Sequence, residues 1–493
     1  MVAVTVAART IGFLREAVIA HTHGASREVD LFLVSLTIPA ILVTTVYYSI
    51  PNAFVPLWSS SSTKNRQTLA VEIGLVFGSL IVAAFVWWLS GPAIRVLAKG
   101  LDSSLQERAV SLLRIGTGTI VFAVLEALLR SRLLAAKHFG LSGLSYMWQG
   151  IGIIVAAIGW RESGALGLMW GLVIGTAASA IWNFVLVFGL ETPRSHVIEQ
   201  SIEITSPNRI WVWVALVLLT DSLAQLYAVV DRYLGSYLEP GAIASLNYAN
   251  LTAGLPSAII GLALSTAILP FLSDADSAGD TARSSSIIDR SVRWALLFAI
   301  PVSVWMFTFG REITSMLFER GAFDAEALKM TSAALSAASL GIVPIAIATV
   351  WSRLFYASHS WIPIGVTAIG ALIAKAALSV GLVSALGSTG LALATSCAYV
   401  VAACISGFMQ KDRIRNHVRE WTVVAIKSLA LVGLPTLVGY IIMVWLIPEQ
   451  PVLRNLVAVV AMITGLFTLL LGGCRWGIPQ MTELMAILSL RRA

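Results

Sequence analysis

Charged residues are scarce in this chain, and their scarcity limits the class of protein it can be. Only 12% of its 493 residues are charged, whereas 57% are hydrophobic, and the mean hydropathy is +0.84. A soluble domain carries about 25% charged residues, so the composition excludes an ordinary soluble protein. The net charge of +7 does not indicate a nucleic-acid partner, because basic residues near the ends of membrane helices are a usual signal of topology.

The chain also lacks the motifs of common enzyme and metal sites. It has no glycine-rich phosphate loop, no zinc motif and no pattern of a catalytic triad. Its three cysteines, Cys397, Cys404 and Cys474, lack the spacing of a metal site or a disulfide framework. No cytoplasmic segment is long enough for an ATPase domain. We therefore expect no enzyme activity, metal or cofactor, and any driving force would be a monovalent-cation or proton gradient, the membrane potential or substrate flow.

Long apolar runs take the place of these missing features. Many are close to 20 residues, the length that spans a bilayer as a helix, and they are continuous rather than alternating, which argues against a barrel. The chain is predicted to be an all-α polytopic membrane protein with about 14 transmembrane helices. The predicted spans are 2–21, 29–53, 68–91, 108–133, 141–160, 164–189, 209–234, 242–272, 291–309, 330–357, 362–385, 388–409, 422–447 and 453–474.

Positive charges concentrate in alternate connections between these spans. One side collects Lys64, Arg66, Arg130, Arg132, Lys137, Arg283, Arg290, Arg293, Lys411, Arg413, Arg415, Arg419, Arg491 and Arg492. The other side has fewer cations. Because loops rich in lysine and arginine stay on the cytoplasmic side, we expect both termini in the cytoplasm of a bacterial inner-membrane protein.

A weak internal repeat divides the chain. The segments NAFVPLWSS (52–60) and TAILPFLSD (266–274) each end the second helix of a six-helix block. Two blocks of the same orientation imply a pseudo-twofold axis along the membrane normal, as in transporters whose site lies between the halves. The predicted domains are a six-helix lobe at 1–190, a second six-helix lobe at 205–410, two further helices at 420–476 and a cytoplasmic tail at 477–493.

Charged residues inside the first spans are the first candidates for a site. Arg9, Arg15 and Glu16 interrupt an apolar helix, and Asp30 opens the next. Ionisable groups within a membrane are costly and face a partner or a polar cavity. Arginine suits a phosphate, because its planar fork binds two oxygens at once. The alternative for Arg15 is a structural pair with Glu16 or Asp30, and for Asp30 it is a helix cap.

Further ionisable residues lie in later spans. Asp221 stands deep in span 7, where a plain cap is not available, and Asp231 lies near the far end of the same span. With Glu16 and Asp30, they are candidates for gating or ion coupling. Lys375 stands alone in the middle of span 11 and needs an acid, a carbonyl or a substrate phosphate to keep its charge. We count it with Arg9 and Arg15 as a candidate substrate contact.

Several short motifs follow one another along the chain. They are Arg9-Thr10-Ile11-Gly12-Phe13-Leu14-Arg15-Glu16, Gly24-Ala25, Asp30, Ile38-Pro39, Ala53-Phe54-Val55-Pro56, Val230-Asp231-Arg232, Leu246-Asn247-Tyr248-Ala249-Asn250, Leu269-Pro270 and Leu317-Phe318-Glu319-Arg320-Gly321-Ala322-Phe323-Asp324. These motifs resemble those of the MurJ (MviN) lipid II flippases, within the superfamily of multidrug and lipid-linked oligosaccharide exporters. Their order, spacing and span count cover nearly the whole chain.

The resemblance implies a V-shaped bundle of two lobes. It further implies alternating access that carries an undecaprenyl-pyrophosphate-linked sugar from the inner to the outer leaflet, with spans 13 and 14 forming a groove for the lipid tail. It adds Asn250 to the candidate substrate contacts. The expected partners are a lipid-linked saccharide, the lipid bilayer and cell-wall synthesis enzymes.

The chain departs from this family at some charged positions. Where the family usually has a pair of arginines after Ile-Pro, this sequence has Val43 and Thr44, and an arginine of span 8 is replaced by Leu251. Lipid II or another lipid-linked surface polysaccharide therefore remain alternative substrates. A multidrug or small-molecule antiporter on the same fold and a non-transporting scaffold for cell-wall enzymes are the other open interpretations.

Overall fold

The computed structural model describes residues 2–59, 65–189, 225–358, 360–447 and 450–482, and the regular secondary structure in these ranges is helical. The helices of the first half are α1 Val2–His23, α2 Arg27–Ser59, α3 Asn65–Leu97, α4 Ser103–Gly116, α5 Gly118–Ala135, α6 Phe139–Gly159, α7 Ala165–Gly189 and α8 at 225–235. Those of the second half are α9 Ala242–Ser277, α10 Thr281–Thr308, α11 Gly310–Phe318, α12 Ala325–Ser339, α13 Ile342–Ala357, α14 Trp361–Met409, α15 Lys411–Ile414, α16 Val418–Leu446 and α17 Pro451–Arg475.

The helices agree with the predicted fold class. In the described ranges nine helices are long and apolar enough to cross a membrane, and the number is ten if the bent pair α12 and α13 counts as one span. The helix α14 contains two predicted spans, α1 and α9 correspond to two more, and α8 contains the described part, 225–234, of the predicted span 209–234. The all-α polytopic membrane fold with about 14 spans is therefore confirmed.

Exposed apolar side chains mark the faces that lipid covers. On α3, Phe77, Ile81, Phe85 and Trp88 are all more than half exposed, and they recur at helical spacing along one side. A soluble protein rarely leaves so continuous an apolar face open to water. Lipid contact is the expected environment of this face.

The chain forms two compact units. The N-terminal unit comprises Met1–Ala244 with the short segment Arg320–Asp324, and the C-terminal unit comprises Ser245–Glu319 with Ala325–Ala493. The helix α8 and the start of α9 thus belong with the N-terminal helices. The predicted boundary between 190 and 205 instead places both in the second lobe.

The N-terminal unit packs α2 against α5, α6 against α7, and α1 against α6. Small residues let α6 and α7 approach closely, since a Cβ added to Gly152 would lie 2.4 Å from the carbonyl oxygen of Gly171. Such contacts drive helix association in lipid, where apolar burial contributes little. In the C-terminal unit α10 packs against α13 and α16, and α16 against α17.

A glycine divides α14 into the two predicted spans. Gly387 has φ 55° and ψ −133°, a conformation that L side chains rarely adopt. The ammonium of Lys375 donates to the carbonyl oxygen of Leu391 at 2.8 Å. In a straight helix these residues would be about 24 Å apart, so the chain folds back at Gly387, between the predicted ends at 385 and 388.

Candidate functional site

Asp30 caps a helix other than its own. It is 1% exposed, and its carboxylate accepts the backbone N–H groups of Gly241 at 2.7 Å and Ala244 at 2.9 Å. These groups lie at the first turn of α9, where helix N–H groups have no partner within the helix and the helix dipole favours negative charge. The sequence predicted either a cap of α2 or a gating acid. The structure shows a cap, on a distant segment of the chain.

Glu28, two residues earlier, does the same for α7. Its Oε2 accepts the N–H of Ala165 at 3.0 Å, and its two carboxylate oxygens accept from Arg108 at 2.7 and 2.9 Å. The acids at the start of α2 therefore bind the N-termini of two other helices. Glu28 was not among the predicted site residues, although the Glu-x-Asp pair directly before an apolar span was a signal for it.

The segment Arg320–Asp324 binds the C-terminal end of α1. The N–H of Ala322 donates to the carbonyl oxygen of His21 at 2.8 Å, one of the last carbonyls of α1 that have no partner within the helix. The fit is tight, because a Cβ added to Gly24 would lie 2.3 Å from the oxygen of Ala322. Gly24 also has φ +65°, a backbone conformation that favours glycine. Both the close contact and the backbone conformation therefore require glycine at this position.

These contacts bring several helix ends together, and we call the set the helix-end junction. It consists of His21–Gly24, Glu28–Asp30, Gly164–Ala165, Gly241–Ala244 and Gly321–Ala322. All of them belong to the N-terminal unit. The junction accounts for the packing of the start of α9 with the N-terminal helices.

A group of charged side chains lies in the same unit, and we call it the charge cluster: Arg15, Glu16, Arg27, Asp30, Asp231 and Arg232. Arg15 Nε donates to Glu16 Oε1 at 2.9 Å. Arg27 lies 3.9 Å from Asp30. Arg232 is within electrostatic range of Glu16, Asp30 and Asp231, and its guanidinium reaches the carbonyl oxygen of Ile243 at 3.4 Å.

The charge cluster contains three acids and three arginines. Its formal charges cancel, as the cost of burying charge in a membrane requires. Glu16, Asp30 and Asp231 are all buried, whereas the Arg15 side chain is 29% exposed. Arg15 is therefore a cation that an incoming anion could reach, with Glu16 as the partner it would exchange. The structure brings together the predicted residues Arg15, Glu16, Asp30 and Asp231, and it adds Arg27 and Arg232.

The remaining candidates lie elsewhere. Lys375 is fully buried in the C-terminal unit, where it donates to Leu391 and to the hydroxyl of Thr395 at 2.7 Å, so a carbonyl supplies one of the partners its charge required. Asn250 is half-buried on α9. Arg9 lies on α1, but its side chain is outside the described part of the structure, and Asp221 is outside the described residues.

One cluster of potential metal ligands occurs in the described ranges, at Asp289, His417 and Glu420 in the C-terminal unit. Its carboxylates already have donors. Arg293 binds both acids, reaching Asp289 Oδ1 at 2.9 Å, and Trp421 Nε1 donates to the same oxygen at 2.8 Å. The arrangement is an ion-pair network that joins α10 to α16.

Comparison with known proteins identifies the family. The sequence model described as "Lipid II flippase MurJ" matches residues 19–461, about nine-tenths of the chain. The chain belongs to the MurJ family. A lipid II flippase MurJ of Burkholderia cenocepacia is 27% identical over 429 residues, which cover 82% of this chain and 80% of that protein. A probable lipid II flippase MurJ of Thermotoga maritima is 25% identical over 406 residues, 80% of each chain.

Solved structures agree on the fold of the family. The structure of a lipid II flippase MurJ in an inward closed conformation matches with a TM-score of 0.79 at 20% identity, covering 96% of this chain and 98% of that one. An inward-facing multidrug transporter of the MATE family matches with a TM-score of 0.64 at 13% identity, over 83% of this chain and 96% of that one. The fold is thus shared between flippases and drug transporters.

Proposed function

We propose that this protein is a flippase that moves an undecaprenyl-pyrophosphate-linked precursor of the lipid II type from the inner to the outer leaflet by alternating access. The observation that carries the proposal is the match of the MurJ family model to residues 19–461. Membership of this family favours a lipid-linked cell-wall precursor over a small-molecule drug. The bacterial inner membrane is the proposed location, and cell-wall synthesis enzymes are the expected partners.

Arg15 is the proposed first contact of the pyrophosphate. Its side chain is partly exposed and is bound to Glu16, so binding would exchange one anionic partner for another without leaving a buried charge alone. A pyrophosphate offers several oxygens to the planar guanidinium. Glu16 would then pair with a neighbouring cation, and Arg232 is within its electrostatic range.

Asp30 is the proposed gating residue. Its two bonds to the start of α9 fasten a helix that continues into the C-terminal unit. Alternating access requires some contacts to break and re-form in each cycle. Two charge-assisted hydrogen bonds at a helix end are strong enough to stabilise one conformation of the transporter. Because there are only two, both can break in a single step of the cycle.

Depletion of the protein in its own cells tests the proposal. Accumulation of lipid II in the inner leaflet, followed by lysis, is the expected result. Accumulation of a different undecaprenyl-linked sugar in viable cells would assign the protein to a surface polysaccharide, and no accumulated precursor would contradict the flippase and favour the drug transporter or the scaffold.

Variants of Arg15 connect this test to the site. In depleted cells Arg15→Ala should fail to prevent lipid II accumulation, whereas Arg15→Lys should restore it in part, since lysine keeps the charge and loses the fork. Arg311→Ala is the matched control, because Arg311 is exposed and lies outside the charge cluster. Normal flipping by Arg15→Ala would remove Arg15 from the site.

A further inference from the structure

A second polar group lies inside the N-terminal unit, apart from the charge cluster. Its centre is Glu126 on α5, whose side chain has no exposed surface. The hydroxyl of Tyr47 on α2 donates to Glu126 Oε2, and the side-chain amide of Gln149 on α6 donates to the Tyr47 oxygen at 2.7 Å. The three residues form a directed chain of hydrogen bonds that ends on the carboxyl.

The other carboxyl oxygen has no donor. Glu126 Oε1 is buried and has no hydrogen-bond partner. The hydroxyls of Ser145 and Ser179 lie within hydrogen-bonding reach of the carboxyl, and each is also aligned to donate to a backbone oxygen, of Ser142 at 2.8 Å and of Ser145 at 2.9 Å. What these hydroxyls still offer to Oε1 is lone pairs. This pattern suits a carboxylic O–H, which can donate to them, and is unfavourable for a carboxylate.

In the described part of the structure no cation is bonded to this carboxyl, although Arg130 lies within electrostatic range of it. Among the described residues no arginine or lysine forms an ion pair with it. Arg130, one turn further along α5, places its guanidinium 4.4 Å from the ring centre of Tyr146, and its Nη1 has no partner. Arg132 is bound to Glu72 on α3. An isolated ionised carboxylate in an apolar interior is very costly.

We propose that Glu126 is a proton-binding site and that its hydrogen-bonding surroundings in this structure suit the protonated carboxyl. The titratable groups that face it are Tyr47 from α2 and Arg130 from its own helix, and Tyr146 from α6 packs against both of these. When Glu126 loses its proton, Arg130 is the cation in reach, since residues four apart share a helix face. Exchange of Arg130 between the Tyr146 ring and the Glu126 carboxylate makes the site a two-state element.

This site deepens the proposed function by naming the ion that drives transport as a proton. The coupling of protons to flipping rests on the proposed function, but the binding of a proton by Glu126 does not. The two claims therefore need separate measurements, one on the protein alone and one on transport.

Infrared spectroscopy of the purified full-length protein in lipid nanodiscs tests proton binding. A protonated carboxyl absorbs apart from carboxylates, so the wild type at neutral pH should show a carboxylic acid band that Glu126→Gln removes. Glu72→Gln is the matched control, because Glu72 is buried but paired with Arg132, and the band should persist there. Circular dichroism confirms that both variants fold.

A band of full size in Glu126→Gln would overturn the proposal, as would a wild-type spectrum without a band in sodium-free buffer. A band that appears only when sodium is removed would also overturn it, by showing that sodium is the resident cation. Glutamine keeps the volume and the acceptor oxygen for Tyr47, so loss of the band in a folded variant assigns it to Glu126.

Flipping in proteoliposomes tests the coupling. With labelled lipid II as probe, wild-type flipping should change several-fold when a pH gradient is imposed, and Glu126→Gln should flip at a rate independent of the gradient. Equal dependence in both proteins would overturn the coupling. If the wild type does not move lipid II at all, the proposed function fails, while the infrared result still decides whether Glu126 binds a proton.

Discussion

At the residue scale, buried acids in this protein work on helices other than their own. Glu28 and Asp30 lie in the first turn of the apolar helix α2 yet bind N–H groups at the starts of α7 and α9. Each bond gives a hydrogen-bond partner to a buried carboxylate and to an N–H group at a helix end, and leaving either group without a partner would be costly. Removal of these carboxylates should therefore lower the stability of the protein as well as alter transport.

Asp30→Asn should lower the free energy of unfolding by about 2 kcal/mol, since hydrogen bonds to a charged group contribute about 1.5–3 kcal/mol. The amide keeps one acceptor and turns an NH₂ group toward the second N–H. Chemical denaturation in detergent measures the loss, with Glu162→Gln as an exposed control. An unchanged free energy of unfolding would show that the capping bonds do not form in the folded protein.

Variants of Lys375 distinguish a structural role of this residue from a contact with the substrate. Methionine has a similar volume, and the Thr395 hydroxyl already donates to Leu391 at 3.1 Å, so Lys375→Met should cost less than about 1 kcal/mol. Lys375→Ala should cost about 2–5 kcal/mol through its cavity. We expect Lys375→Met to support growth of depleted cells. Loss of growth in a stable Lys375→Met protein would instead support the predicted contact with substrate.

At the element scale, alanine substitutions at two glycines of α14 should change the stability of the protein in opposite directions. Gly387→Ala forces a Cβ into a backbone conformation that costs about 1–3 kcal/mol, although the Cβ itself would meet no atom within 4 Å. Gly381 has equally open space in a helical conformation, so Gly381→Ala should stabilise by about 0.5–1 kcal/mol. Thermal unfolding midpoints should fall for the first variant and rise for the second, and an unchanged or higher midpoint for Gly387→Ala would contradict the turn at Gly387.

The transmembrane helices were the most predictable part of this fold, because the length and apolar composition of a span are local properties of the sequence. The turn at 386–387 was predicted from the gap between two apolar runs. The caps were not predictable in detail, since a carboxylate at the start of α2 can bind any helix end that the fold brings near. Asp30 was recognised as a cap or a gate, but its partners are more than 200 residues away.

The candidate site was predictable only in part, for a similar reason. Charges in apolar spans identified Arg15, Glu16, Asp30 and Asp231, and the structure places these in one unit. Glu126 was missed because a single acid near Arg130 and Arg132 resembles the charged end of a span. Its isolation is visible only when the hydroxyls of Ser145 and Ser179 are seen to donate elsewhere.

At the scale of the whole molecule, the orientation follows from charge alone and can be tested directly. The excess of lysine and arginine in alternate loops predicts that Glu162 faces the periplasm and Asp412 the cytoplasm, and both residues are exposed. In a background lacking Cys397, Cys404 and Cys474, we expect Glu162→Cys to react with a membrane-impermeant maleimide in intact cells. Asp412→Cys should react only after permeabilisation. Each variant controls for the other, and the reverse labelling pattern would invert the topology and place the helix-end junction on the cytoplasmic side.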